Sequence, residues 1–267
     1  MKVLYVTTFN HVLYNKSGAD LIKSFIDKTT DSDMLVCYED FNFQYESDRI
    51  IKYNLKQDKY MIDWLNTHKN IIPKCYGGEA EDDSEIFKDD TPDIWNKNGQ
   101  VWAKHRASRY FRKIVALNYA LIHYSDEYDY IYVIDSDCIF KQNIPTELTE
   151  QLFENTTSMI YFWSNFRRQN NRGPETGFTG YCKENNGYEF AKEICDCFAS
   201  GKFLQYKYWD DGYVIGQVIN EAENNATYKL RDLVGDSTAK TTRVMEIKDN
   251  LLFNYIHHFK NKHKVSN

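Results

Sequence analysis

Two carboxylates one residue apart, Asp135 and Asp137, follow the unbroken apolar run Tyr130-Ile-Tyr-Val-Ile134. The chain holds 23 Asp, so about two such triplets are expected by chance, and two occur, the other being Asp31 and Asp33. Context separates them where spacing does not. Asp31/Asp33 lies in a polar turn ahead of an apolar segment, whereas Asp135/Asp137 closes a run with the composition of a buried strand, the place where ligands gather in open α/β sheets. Two carboxylates there repel one another and have no local cation. A hard divalent ion with oxygen ligands, Mg²⁺ or Mn²⁺, relieves that cost. A second acidic pair, Asp210-Asp211, precedes an apolar-periodic segment. Acids in that position are ordinary helix caps, so one of the two has a structural explanation and the other is left for chemistry.

The elements that must hold these residues are legible from periodicity. Residues 2–8 read as a buried strand, 17–28 as a helix with Leu21, Ile22, Phe25 and Ile26 on one face, and 33–38 as a second strand. A helical pattern over 57–67 is followed by 75–100, which carries Gly77-Gly78, Pro92 and eight carboxylates between Glu79 and Asp93, the makings of a long solvated loop. From 102 to 124, Phe111, Ile114, Val115, Leu117, Leu121 and Ile122 recur at helical spacing, with Arg106, Arg109, Arg112 and Lys113 in the first half. The strand 130–134 comes next. The second half reads as a strand over 159–162, a Gly-bearing segment over 175–181, a helix over 187–198 and a helix after Trp209. Alternating strands and helices imply an α/β architecture.

Composition narrows the classes. The 267 residues hold 33 Lys plus Arg, 39 Asp plus Glu, 12 Gly and 4 Pro, which is neither collagenous nor disordered. A net charge of -6 opposes a nucleic-acid partner, whose phosphates require Lys and Arg. No stretch approaches the ~18 apolar residues of a membrane span, and the first ten residues lack a signal-peptide core. The six Cys, at 37, 75, 138, 182, 195 and 197, fall at no zinc spacing and read as free thiols in a reducing, cytoplasmic setting. The load of 21 Tyr, 16 Phe and 5 Trp builds cores first, and such rings also line sites for nucleobases and sugars.

At this point the sequence resembles the metal-dependent GT-A fold glycosyltransferases. Residues 112–121 (R-K-I-V-A-L-N-Y-A-L) and 129–140 (D-Y-I-Y-V-I-D-S-D-C-I-F) look like the family segment in which a basic helix precedes a hydrophobic strand and its DxD motif. The resemblance implies a Rossmann-like mixed central sheet flanked by helices. It implies one catalytic domain over 1–267, with a sugar-nucleotide half (1–140) and an acceptor half with a C-terminal tail (141–267). It implies hexosyl transfer from a nucleoside diphosphate sugar, UDP- or GDP-linked, to a glycan or glycoconjugate hydroxyl. Asp137 becomes the strongest metal ligand, and Asp135 is shared between metal and sugar nucleotide, with Ser136 between them. Arg109 and Lys113 lie near the donor, and Thr7, Thr8 and Phe9 meet the nucleotide base.

The segment Ile256-His257-His258-Phe259-Lys260-Asn-Lys262-His-Lys264 is similar to the H-F ending of several retaining members, in which Lys follows six residues later. His258 would then complete the metal shell and Lys264 would meet a phosphate, with Lys260 and Lys262 competing. An imidazole ligand favours Mn²⁺ over Mg²⁺. Trp209-Asp210-Asp211 resembles the acidic segment that faces the acceptor, with Asp211 as the expected general base and Asp210 beside it. Gly212 replaces the Gln of retaining members, which tilts the expectation towards inversion. Pro174-Glu175-Thr-Gly177 resembles the acceptor floor, where Glu175 binds hydroxyls or competes as base. Two rival classes use the same residues differently. A haloacid-dehalogenase-type phosphatase would make Asp135 the nucleophile, although that strand normally lies near the N-terminus, and a non-catalytic carbohydrate-binding protein would not need paired acids.

Overall fold

The computed structural model describes residues 1–39, 41–43, 45, 47–68, 107–224, 227–235, 237, 239, 241 and 244–259. The expected loop over 75–100, Arg106, Lys260, Lys262 and Lys264 lie outside them. The chain opens with β1 (Val3–Phe9), a helical turn at His11–Leu13 that runs through a wider π-type turn at Tyr14–Gly18, α1 (Ala19–Lys28) and β2 (Ser32–Tyr38). The helix therefore starts earlier than expected, because Asn10 caps it by accepting from Leu13 N–H at 3.0 Å. Then follow β3 (Ile50–Asn54), α2 (Lys59–His68), α3 (Ala107–Tyr124), β4 (Tyr130–Ile134), β5 (Cys138–Phe140) and α4 (Thr146–Leu152). The remainder is β6 (Met159–Phe162), α5 (Asn165–Gln169), β7 (Glu175–Cys182), α6 (Gly187–Ala199), α7 (Asp211–Glu223), β8 (Leu230–Asp232) and β9 (Ile256–His258).

Seven strands form one mixed sheet in the order β3-β2-β1-β4-β7-β6-β8, flanked by helices. The first four are parallel, β7 runs antiparallel between β4 and β6, and β8 is parallel to β6. Strands from both halves of the chain thus share one sheet. After β1 the chain builds outwards through β2 and β3, then returns to place β4 on the other side of β1. The C-terminal ends of β1 and β4 therefore flank the switch in strand order, where such sheets leave a crevice. Asp135 follows β4 directly.

Parallel strands buried on both faces need apolar side chains in both directions, which is why the runs in β1 and β4 are continuous. Leu4, Val6, Ile131 and Val133 face α3, α6 and α7, while Val3, Tyr5, Tyr132 and Ile134 face α1. Each fully buried side chain of this size contributes roughly 1.5–3 kcal/mol. In α3, Phe111 is fully buried and stacks on Trp64 with ring centroids 3.9 Å apart, so Phe111→Ala would cost about 3–5 kcal/mol. Packing α3 in this way fixes Lys113 at the sheet's crevice edge. No helix among the described residues is long and apolar enough to cross a membrane.

Candidate functional site

The Asp135–Asp137 turn is braced by backbone from three elements. Asp135 N–H donates to the Gly177 carbonyl at 2.9 Å, Cys138 N–H to the Asp135 carbonyl at 3.1 Å, and Phe259 N–H to the Asp137 carbonyl at 2.9 Å. The last contact extends a small antiparallel ladder in which β9 pairs with β5, Cys138 opposite His258. The C-terminal segment is thus a strand whose Ile256 and His258 are buried. Its register brings His258 Nε2 to 3.1 Å from Asp137 Oδ1 and 3.9 Å from Asp135 Oδ2.

Behind His258 stands Glu175. Its Oε1 lies 2.9 Å from His258 Nδ1, and its Oε2 accepts from Val244 N–H at 2.6 Å and Met245 N–H at 3.2 Å. Both oxygens are engaged and the residue is 2% exposed. The expected contact with acceptor hydroxyls, or the role of base, would need one of these oxygens released; as it stands the carboxylate holds the His258 ring. Gly177 makes the space for the ring, because a Cβ there would stand 2.4 Å from His258 Cε1. Burial pushes the His258 imidazole down, but hydrogen bonds to Asp137 and Glu175 and the charges of Asp137 and Asp135 outweigh it and raise it to about 9.

These residues fit a divalent cation. Asp137, Cys138 and His258 offer ligand atoms within 4.8 Å of one another, and a carboxylate on the far ring nitrogen is the usual support of a metal-binding imidazole. Cys138 is the weak member: burial and then the charge of Asp137 hold its thiol protonated, and it lies 3.4 Å from the Gly177 carbonyl. The remaining oxygen and imidazole donors suit Mn²⁺ better than a soft metal.

The second cluster centres on Lys113. Its Nζ lies 2.5 Å from Asp135 Oδ1, 2.7 Å from Asp211 Oδ2 and 3.1 Å from the Thr176 carbonyl. Burial works against the ammonium, yet Asp135 and then Asp211 outweigh it and keep the group charged. Thr176 Oγ1 donates to Asp211 Oδ2 at 2.8 Å and Gly212 N–H to Asp211 Oδ1 at 2.9 Å. Burial raises the Asp211 carboxyl, but the Lys113 charge dominates and holds it below the usual range. Both oxygens of Asp211, the expected general base, are therefore engaged. Asp210 is the helix cap, its Oδ1 accepting from Tyr213 N–H at 3.0 Å. Burial and the neighbouring Asp211 lift its carboxyl to about 6, the better tuned of the pair for taking a proton near neutral pH.

The other expected contacts divide. Ser136 is buried between the two acids. Arg109 is exposed on the first turn of α3. Thr7 and Phe9 are buried while Thr8 is half-buried. Phe9 belongs to an aromatic group with Tyr14, Phe41 and Phe43 at centroid distances of 5.8, 6.1 and 6.3 Å, so its ring serves the core, and Thr8 is the more accessible of the three. The Thr7 Oγ1 has no hydrogen-bond partner among the described residues. Sequence reasoning missed Glu39, which follows β2 as Asp135 follows β4. It is 2% exposed, its Oε1 pairs with Arg112 Nε, and its Oε2 has no partner among the described residues. An acid directly after an apolar run was the available signal.

No protein-family model and no curated protein matches the chain. Among solved structures, the chain is similar to mouse xyloside xylosyltransferase 1 (10% identity, TM-score 0.47, 87% of this chain and 85% of that one). It is similar also to the bifunctional glycosyltransferase WbbM (12%, 0.46, 87% and 38%) and to the glycosyltransferase GlyE of Streptococcus pneumoniae TIGR4 (13%, 0.43, 87% and 45%). The match spans less than half the length of the latter two. Likeness at this level carries no argument about chemistry, which rests on the residues.

Proposed function

We propose that the protein transfers a sugar from a nucleoside diphosphate sugar to a hydroxyl acceptor. The observation that carries this reading is the meeting of His258 with Asp137 and Asp135, with Glu175 holding the imidazole from behind. Asp135, Asp137 and His258 would hold a divalent cation, Mn²⁺ or Mg²⁺. When bound, that ion would supply the positive charge that stabilises a departing diphosphate. Lys113, held charged between Asp135 and Asp211, adds a fixed positive group beside the same acids. Lys264 is retained as a phosphate contact, and Thr8 and Arg109 as donor contacts.

On the acceptor side the proton goes to Asp210, whose raised carboxyl suits a base, while Asp211 orients Lys113. A base acting on the acceptor implies inversion. The test is incubation with UDP- and GDP-sugars and Mn²⁺, following release of nucleoside diphosphate and the anomeric configuration of the product. Release that is lost with a chelator is expected. Full activity in excess chelator, or phosphate release from a simple phosphomonoester without sugar transfer, would overturn the reading in favour of no metal role or of a phosphatase. A product retaining the donor's configuration would remove the base role from Asp210.

A further inference from the structure

Along α7, at the Gly173 backbone that packs against Gly212, lies a cleft of about 190 Å³ whose lining includes Trp163, Arg168, Arg172, Tyr213, Gln217 and Asn220. We propose that this cleft is a subsite for an anionic saccharide unit of the acceptor, its acid group taken by Arg172 and Arg168. The assignment as acceptor rests on the transfer reading above, whereas the anion preference rests on the cleft alone.

The lining has the three chemistries such a ligand needs, and the neighbouring carboxylate, Asp232, is held by Arg168 and two backbone N–H groups. In a chain of net charge -6, two arginines line the cleft and no carboxylate does. Arg168 is preorganised: its guanidinium stacks on the Trp163 ring at 3.9 Å, its Nε donates to the Trp163 carbonyl at 3.2 Å, and its Nη2 lies 3.4 Å from Asp232 Oδ2. Asp232 spends its other oxygen on the backbone N–H groups of Trp163 and Val234. Arg172 is exposed, and its guanidinium makes no ion pair among the described residues. A planar guanidinium matches a carboxylate or phosphate with two parallel hydrogen bonds. Arg167, by contrast, is structural, donating to the Gly173 and Pro174 carbonyls.

Tyr213, Gln217 and Asn220 recur at spacings of four and three, so α7 offers an aromatic ring and two amides on one face. Amides read hydroxyls, and an aromatic ring takes the apolar face of a sugar. The volume is several times the ~30 Å³ share of a water and below the ~300 Å³ where drug-sized pockets begin, so it fits one small unit. The cleft is tied to the acids by backbone contact: a Cβ on Gly173 would stand 1.8 Å from the Gly212 carbonyl oxygen, and Gly212 follows Asp211.

The experiment is calorimetric titration of the full chain, without donor or metal, with methyl β-glucuronide, glucose 6-phosphate and the neutral methyl β-glucoside. At least one anionic probe should bind about 10-fold or more tightly than the glucoside, the size of one charge-assisted hydrogen bond. Which one does so distinguishes a carboxylate from a phosphate. Arg172→Gln, a surface change that leaves the fold intact, should erase that preference without weakening the glucoside. Equal binding of all three probes, or a preference that survives in both Arg172→Gln and Arg168→Gln, would overturn the proposal. Donor cleavage with neutral acceptors and no anion preference sinks this inference alone, whereas anion binding without any donor cleavage sinks the transfer reading and the acceptor assignment with it and leaves only the anion site.

Discussion

Lys113 Nζ lies 2.7 Å from Asp211 Oδ2, a residue 98 positions later in the chain. Asp211 is buried and Lys113 mostly so, with 7% and 14% side-chain exposure, and Asp135 shares the same ammonium. Removing the cation leaves two uncompensated carboxylates, so Lys113→Met should cost about 3–5 kcal/mol of unfolding free energy. Adding Asp211→Asn should return part of that loss. Urea unfolding of the two single variants and the double variant measures this coupling, and a Lys113→Met cost below ~1 kcal/mol, the median of an exposed pair, would show that the cluster is solvated.

Metal affinity should follow the supports of His258 as well as its ligands. Asp137→Asn should abolish measurable Mn²⁺ binding, and Glu175→Gln should weaken it by roughly 10- to 100-fold, the usual effect of an outer-shell partner. Gly177→Ala should weaken it too, since the new methyl would stand where the imidazole sits. Electron paramagnetic resonance titration of free Mn²⁺ reads all three without turnover. Wild-type affinity in Glu175→Gln and Gly177→Ala together would remove His258 from the site.

Asp210 gives a pH signature. Its folded carboxyl is raised to about 6 from 3.8, so between these values the folded state binds more protons than the unfolded one. Stability contributed by this group is therefore full below pH ~4 and is lost as pH rises through ~6, by at most about 3 kcal/mol. Asp210→Asn should flatten that slope in thermal unfolding from pH 4 to 7, because Asn caps a helix as well as Asp does. The same variant should lower kcat by roughly 10²-fold or more with donor binding unchanged. An unaltered slope and near-normal turnover would leave Asp210 a cap only.

Truncation separates the strand from the tail. Ending the chain after Tyr255 would remove β9 and its pairing to β5, so lost donor binding there would be confounded by lost structure. Ending it after Phe259 keeps β9 and His258 and removes Lys260, Lys262 and Lys264. Donor affinity, measured by nucleotide titration, should fall while the thermal midpoint stays within a degree or two of wild type, the scale set by surface changes. Unchanged nucleotide binding would show that these lysines meet no phosphate.

The sequence by itself determined the elements whose signal is local. Continuous apolar runs marked β1 and β4, helical spacing marked α3, α6 and α7, and the position of Asp135 after such a run marked the candidate site. The edge strand β3 escaped, because Ile50–Asn54 is short and partly exposed and has little periodicity to show. What only the tertiary structure decided is which side chain each acid meets. Sequence spacing says nothing about contacts between residues 83 or 98 positions apart, such as His258 with Glu175 or Lys113 with Asp211. Those contacts are set by strand order and register, and a one-residue slip of β9 would turn His258 to the opposite face. They place Glu175 against the His258 imidazole and Asp211 against Lys113, neighbours that no local pattern names. The same reasoning explains Gly177: in the sequence it is one glycine of a turn-like segment, and in the fold it is the only residue type that leaves room for the His258 ring.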